Sequence, residues 1–175
     1  MSRLLTNYLL IFVVVCVQGI FVSCGNADVY WRDYKGTIPN DAVPTDNGTY
    51  IAQVILASGG NIPGTLYQYK KVAVSAASGK RLEFLNNIKV LCSPKPSALK
   101  WKFVNTNQLD AKFLDKCVVG GFEIGYTLYI GKVFHEGEWK IGKVFPPNAK
   151  YTGLTVWRDD GNSYPTHDFQ ILTEQ

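Results

Sequence analysis

The sequence is poor in charge and in histidine, and it has no long run of charged residues. Charged side chains make up 18% of its 175 residues, and the net charge of +4 is spread along the chain. A nucleic-acid partner is therefore not expected, because phosphate binding relies on a clustered basic surface. The two histidines, His135 and His167, lie in turn-like segments without metal-ligand spacing, so we expect neither a metal nor another cofactor.

Apolar and aromatic residues are plentiful, at 46% and 13% of the chain, as in a folded globular protein of one domain. Eight prolines and sixteen glycines separate short runs rich in Val, Ile, Tyr, Phe and Trp. Such runs are typical of β-strands. We therefore predict an all-β protein with strands at residues 49–57, 66–75, 82–92, 99–104, 127–134, 139–145, 154–157 and 168–172.

The amino-terminal segment has the order of a secretory signal peptide. Arg3 precedes an apolar stretch at residues 9–17, and small residues follow up to Ala27. A membrane anchor is disfavoured, because a spanning helix needs roughly 20 apolar residues. A lipidated bacterial cysteine at Cys24 is a weaker alternative. Cleavage after Cys24 or after Ala27 fits these small residues, and we take residues 1–27 as the signal peptide. We expect it to be removed and the mature chain to be secreted without membrane insertion.

Cys92 and Cys117 are the two cysteines beyond the leader. In an oxidising compartment such a pair favours a disulfide. Each cysteine is also flanked by aliphatic residues, which is typical of a buried free thiol. The sequence leaves both alternatives open.

The chain repeats itself at a spacing of close to 80 residues. Three blocks recur in the same order: residues 49–54 match 128–133, residues 62–65 match 140–143, and residues 88–91 match 169–172. We therefore expect two tandem copies, residues 28–92 and 99–175, joined by a connector at residues 93–98. The simplest arrangement is one compact, pseudo-symmetric antiparallel β domain in which the two copies bury each other's apolar faces.

Eight short blocks stand in order along the two copies: Ile38-Pro39, Ala42-Val43, Tyr50-Ile51-Ala52, Pro63-Gly64, and residues 120–123, 128–132, 142–143 and 169–172. In this order they resemble the DM-nine repeat family over residues 30–173. The resemblance implies a compact β structure of two intertwined repeats. Members of the family include mannose-binding lectins of innate immunity and insect proteins that respond to infection.

In the lectin members an acidic residue of the Gly-Gly loop and the lysine of a Pro-Gly-Lys segment contact the sugar. Carried over by position, the resemblance implies that Glu123 and Lys143 bind carbohydrate. A carboxylate accepts hydrogen bonds from hydroxyl groups, and an ammonium group donates them. The chain departs from the pattern, since Glu123 replaces an aspartate and Ile141 replaces the proline. The alternative is an ordinary solvated surface pair.

The first copy has only the remnants of such a site. Thr65 stands in the place of the lysine, and Asp46 is the one acid near the expected position, which indicates a degraded site. Asn47, followed by Gly48 and Thr49, is an N-glycosylation sequon. A glycan on Asn47 would occupy the same loop.

Together with this resemblance, the sequence favours a secreted, mannose-type carbohydrate-binding protein of innate immunity or host–microbe interaction, without enzymatic activity. A single polar site binds a sugar weakly, so we expect a homodimer to supply avidity. One alternative is an effector that binds a protein partner and has no sugar site. Another is a lipocalin-like carrier, which the internal repeat and the late position of Gly137-Glu138-Trp139 disfavour.

Overall fold

The structure is a computed structural model that describes residues 28–175. The expected signal peptide, residues 1–27, lies outside the described residues and stays a prediction. The strands are β1 (Tyr30–Asp33), β2 (Thr49–Ile55), β3 (Asn61–Tyr67), β4 (Val72–Ala77), β5 (Lys80–Phe84), β6 (Ile88–Cys92), β7 (Leu99–Asn105), β8 (Val119–Glu123), β9 (Tyr126–His135), β10 (Glu138–Phe145), β11 (Gly153–Trp157), β12 (Ser163–Thr166) and β13 (Asp168–Glu174). The helical turns are the 3-10 helices Asp46–Gly48, Pro96–Ala98 and Thr106–Gln108 and the one-turn α-helix α1 (Ala111–Leu114).

The strands pair in the same order in the two halves of the described chain. In the first half the hydrogen-bonded order is β1-β6-β2-β3-β4-β5, and in the second it is β7-β13-β9-β10-β11-β12. The remaining strand, β8, pairs with β9 and meets β3 where Phe122 lies opposite Asn61. All these pairings are antiparallel, so the predicted all-β fold is confirmed. The division into copies at residues 28–92, 93–98 and 99–175 stays a prediction.

Two runs that were predicted as single strands each contain parts of two strands joined by a turn; β3 and β4 pair as a hairpin, whereas β5 and β6 do not pair with each other. Residues 66–75 contain the turn between β3 and β4, and residues 82–92 contain the turn between β5 and β6. Lys71 and Asn87 occupy these turns with φ of 53° and 55°. The prediction missed both turns because no glycine marks these left-handed positions.

The apolar faces of the two halves meet in a shared core. One cluster draws on both halves and consists of Val43, Ile51, Leu91, Ala98, Leu99, Val118, Ile130, Ile141 and Leu172, with Val29, Trp31 and Trp101 packed against it. Full burial of one such aliphatic side chain stabilises the fold by about 1.5–3 kcal/mol. Lys143 lies on β10, which contributes Ile141 to this cluster, whereas Asp46 lies in the first 3-10 turn.

Cys92 and Cys117 are free, buried thiols in this structure, and the disulfide is not formed. They belong to different apolar clusters. The Sγ of Cys92 donates to the carbonyl of Val90 at 3.7 Å, and the Sγ of Cys117 donates to that of Phe113 at 3.5 Å. Burial raises the pKa of Cys92 to about 11 and that of Cys117 to about 12, which keeps both thiols protonated and unreactive at neutral pH.

Candidate functional site

Glu123 and Lys143 come from different strands and form an ion pair. Glu123 is the last residue of β8, and a two-residue turn, Ile124 and Gly125, leads from it into β9. Both turn residues have positive φ, of 51° and 82°, as in the hairpin turns that match the twist of antiparallel strands. Lys143 lies within β10, and its Nζ donates to the Oε2 of Glu123.

The Glu123–Lys143 pair is buried, which the sequence did not indicate. The side chains are only 8% and 6% exposed, so this is not a solvated surface pair. The Lys143 ammonium also lies 5.3 Å from the ring centroid of Phe145, within range of a cation–π interaction. Desolvation of two charges is unfavourable, and their mutual attraction offsets it only while both partners remain.

Hydrogen-bonding capacity is left over in this pair. An ammonium group has three N–H donors, and a carboxylate has two acceptor oxygens. Within residues 28–175 the side chains of Glu123 and Lys143 hydrogen-bond only to each other. Two donors of the lysine and one oxygen of the glutamate therefore have no hydrogen-bond partner among residues 28–175.

Gly121 sets the position of the strand that carries Glu123. It lies where β8 meets β3, and a Cβ atom at Gly121 would overlap the carbonyl oxygen of Asn61. Any side chain would push β8 away from β3 and move Glu123 with it. The Gly-Gly segment therefore serves a close backbone approach, as glycine often does beside a binding site.

Thr65, the first-copy counterpart of Lys143, is a core residue. It is completely buried, and its Oγ1 accepts a hydrogen bond of 2.8 Å from the backbone N–H of Ile141. This bond ties β3 of the first half to β10 of the second. The structure therefore gives Thr65 a structural contact and no exposure to a ligand.

Asp46, the other residue of the expected degraded site, pairs with a lysine of the second half. The Nζ of Lys132, in β9, donates to the Oδ2 of Asp46. The lysine side chain is 6% exposed, whereas that of Asp46 is 41% exposed. The sequence did not single out Lys132, although it is the lysine of the recurring 128–133 block.

The Lys132 ammonium lies between two half-buried indole rings. Its Nζ is 4.7 Å from the ring centroid of Trp101 and 4.5 Å from that of Trp139. The Trp139 ring also meets Phe134 edge to face, with centroids 5.7 Å apart. Phe103 and Phe134 are 68% and 57% exposed. We call these four aromatic residues, together with Lys132, Asp46 and Gln170, the Lys132 face.

One sequence signal did point to this face. Along β7, the aromatic residues Trp101 and Phe103 alternate with Lys100 and Lys102, which places the aromatic side chains on one side of the strand. Phe103 is largely exposed, so the aromatic side chains on this side of β7 are not all part of the core. An exposed aromatic side of a strand indicates a contact surface.

Asn47 is exposed within the 3-10 turn at Asp46–Gly48, next to the carboxylate that holds Lys132. Its φ of 59° is left-handed, a conformation that asparagine tolerates better than most residues. The sequon is therefore accessible in the fold. Its use as a glycosylation site stays a prediction.

The two histidines have structural contacts. The His135 ring stacks on Tyr164 with centroids 3.8 Å apart, and the Nδ1 of His167 lies 3.2 Å from the Oγ1 of Thr106. Residues 28–175 contain no cluster of three or more His, Cys, Asp or Glu side chains that would suit a metal ion. No helix in this part of the chain is long and apolar enough to cross a membrane.

Comparison with known families gives a match over more than half of this chain. The sequence model of the DM9 repeat matches residues 44–152, which include Asp46, Thr65, Glu123, Lys132 and Lys143. The resemblance inferred from the ordered sequence blocks is thereby confirmed. No curated protein matches the chain significantly.

Proposed function

The chain belongs to the DM9 repeat family, and from that premise we propose that it is a carbohydrate-binding protein of the lectin type. In this proposal Glu123 and Lys143 bind a mannose-type glycan. The protein acts outside the cell, in innate immunity or in contact between host and microbe. It binds its ligand and does not transform it.

The observation that carries the proposal is the unused hydrogen-bonding capacity of the Glu123–Lys143 pair. Two neighbouring hydroxyl groups of a pyranose match this arrangement. The oxygen of one hydroxyl accepts a hydrogen bond from the Lys143 ammonium, and the other hydroxyl donates one to the Glu123 carboxylate. Hydrogen bonds to charged groups are about twice as strong as neutral ones. The burial of the pair means that only a small part of the sugar rim reaches these atoms.

The burial of the pair also determines how the proposal is tested. Lys143→Met alone leaves a buried carboxylate without its partner, so lost sugar binding could simply reflect lost folding. The double variant Glu123→Gln with Lys143→Met removes both charges and retains the side-chain volumes. We expect the parent protein to be retained on immobilised mannose and the double variant to pass through while remaining folded.

A second lysine–glutamate pair of the fold provides a control, although Lys140 also donates to the carbonyl of Trp157 at 3.3 Å and pairs with Asp159 at 3.5 Å. Lys140 is completely buried, and its Nζ donates to Glu136 at 2.6 Å. The double variant Glu136→Gln with Lys140→Met should remain bound to mannose. If the Glu123→Gln, Lys143→Met variant is retained on immobilised mannose as well as the parent, these two residues are not part of the sugar-binding site.

The proposal predicts that a single site binds its sugar weakly. A sugar loses nearly as many hydrogen bonds to water as it gains from one polar site. Useful binding to a cell surface then requires several sites on one assembly, which raises the effective concentration. We therefore propose that the protein acts as a homodimer or as copies clustered on the glycan surface.

A further inference from the structure

The Lys132 face has no role in the Glu123–Lys143 site. We propose that this face is a second carbohydrate subsite, in which the apolar side of a sugar ring stacks on Phe134, Trp139 and Phe103. Asp46 and Gln170 hydrogen-bond the hydroxyl rim of the ligand. The inference rests on the proposed lectin function and extends it to a larger ligand.

The side chains of the subsite lie on one side of the sheet. Cross-strand partners in an antiparallel sheet point to the same side, as do residues two apart along a strand. Phe103 lies opposite Gln170, and Gln170 lies opposite Lys132. Phe134, two residues beyond Lys132, lies opposite Trp139. The aromatic rings therefore line one continuous surface over four adjacent strands.

A cationic ligand does not suit this surface. The place between the indole rings, where a cation would be attracted, already holds the Lys132 ammonium at 4.7 and 4.5 Å from the two centroids. An anionic ligand does not suit it either, because the carboxylate of Asp46 neutralises Lys132. The surface therefore favours an uncharged ligand.

The surface also requires a ligand that is apolar on one side and polar around its edge. Phe103 and Phe134 present exposed rings, whose burial by the C–H side of a pyranose is favourable. At the rim, the Oδ2 of Asp46 accepts a hydrogen bond from Lys132, whereas its Oδ1 has no hydrogen-bond partner among the described residues. Gln170 is half-buried and contributes an amide. A neutral sugar has this combination of an apolar face and a hydroxyl edge.

The length of the surface favours an oligosaccharide. From β7, which carries Phe103, to β10, which carries Trp139, there are three strand spacings, or about 14 Å. A single pyranose covers only part of this distance. We therefore expect affinity to increase from mannose to a mannose trisaccharide.

The equivalent strands of the first half do not carry such a surface. By the same pairings, Asp33 lies opposite Lys89 and Lys89 opposite Gln53, while Ile55 lies opposite Asn61. None of these five residues is aromatic, and Gln53 donates to the carbonyl of Gly120 at 2.8 Å. Trp31, opposite Leu91, is the counterpart of Trp101, opposite Leu172, but the residues at the positions of Phe103, Phe134 and Trp139 are not aromatic. The subsite therefore belongs to the second half, with Asp46 supplied by the first.

The test compares exposed phenylalanines of the subsite with an exposed aromatic residue elsewhere. Phe134→Ala and Phe103→Ala remove rings that are largely outside the core, and Tyr151→Ala removes a ring that is 63% exposed outside the subsite. Each protein is titrated with mannose and with a mannose trisaccharide by isothermal calorimetry. We expect Phe134→Ala to weaken trisaccharide binding about tenfold, which corresponds to about 1.4 kcal/mol. Tyr151→Ala should bind like the parent.

The outcomes separate this inference from the proposed function. Trisaccharide affinity that equals mannose affinity and survives both phenylalanine variants overturns the subsite and leaves the lectin function standing. Loss of binding in Phe134→Ala, with normal binding in Glu123→Gln, Lys143→Met, supports the subsite and overturns the Glu123–Lys143 site. If Phe134→Ala instead turns a dimer into a monomer and leaves trisaccharide affinity unchanged, the face is a contact between copies and the inference is wrong.

Discussion

Lys132 and Asp46 form an ion pair between the two halves of the chain, although 86 residues separate them in the sequence. The positions of Asp46 and Thr65 in the first copy predict that the two residues are the remnants of one degraded sugar site. The fold instead gives Asp46 to a lysine of the other half and places Thr65 in the core. Contacts of this kind follow from how the halves pack, which the spacing of residues within one copy does not predict.

Loss of Asp46 should destabilise the fold moderately. Asp46→Asn leaves the nearly buried Lys132 ammonium without its anionic partner, although the indole rings remain beside it. Because Asp46 is partly exposed, we expect a loss of about 1–2 kcal/mol in the free energy of unfolding in urea, less than for a fully buried pair. Asp33→Asn, at an aspartate that is 71% exposed and pairs with Lys89 at 3.9 Å, is the control and should change it by less than about 0.5 kcal/mol. Equal effects would refute the structural role of the Asp46–Lys132 pair.

Lys143→Met should destabilise the protein more than Asp46→Asn does. It leaves the carboxylate of Glu123, only 8% exposed, without its partner. Breaking a buried pair in this way lowers the free energy of unfolding by about 3–5 kcal/mol. Adding Glu123→Gln should recover most of this loss, as measured by urea denaturation. A single variant as stable as the parent would mean that the pair is solvated.

The two cysteines should be free in the folded protein and slow to react. Burial raises the pKa of Cys92 to about 11 and that of Cys117 to about 12, so the reactive thiolate is scarce at pH 8. Under non-reducing conditions we expect little labelling by a thiol reagent in the native state and labelling of both cysteines in urea. Mature protein that remains unlabelled in urea until a reductant is added would contain the disulfide.

Gly121→Ala should disturb the strand that carries Glu123. The new methyl group would overlap the carbonyl oxygen of Asn61, which belongs to the backbone and cannot rotate away. We expect a loss of about 1–3 kcal/mol in unfolding free energy and weaker retention on mannose, since β8 has to move. An alanine variant with the stability and binding of the parent would show that β8 and β3 are less closely packed than in this structure.

Asn47 should carry a glycan when the full chain is expressed through a eukaryotic secretory pathway. The residue is exposed in a turn, and Asn47→Asp removes the sequon while retaining a residue that tolerates left-handed φ. We expect the parent, and not the variant, to lose mass on treatment with a peptide N-glycanase. Identical masses before and after treatment of the secreted parent would rule the site out.

The sequence predicted the strand content of the fold well and the close contacts of the site poorly. The runs at residues 99–104, 127–134 and 139–145 correspond to β7, β9 and β10, because β-branched and aromatic residues dominate them. The turns at Lys71 and Asn87 were missed because they lack glycine. The burial of Glu123 and Lys143 was also missed, since a charged residue is assigned to the surface unless its partner is known.

The most direct test of the central claim is a glycan array probed with the purified protein and with the Glu123→Gln, Lys143→Met variant. The account predicts that the parent binds mannose-terminated glycans, with the strongest signals on oligosaccharides, and that the variant loses these signals while its unfolding curve remains cooperative. A folded parent protein that binds no glycan on the array would contradict the lectin function.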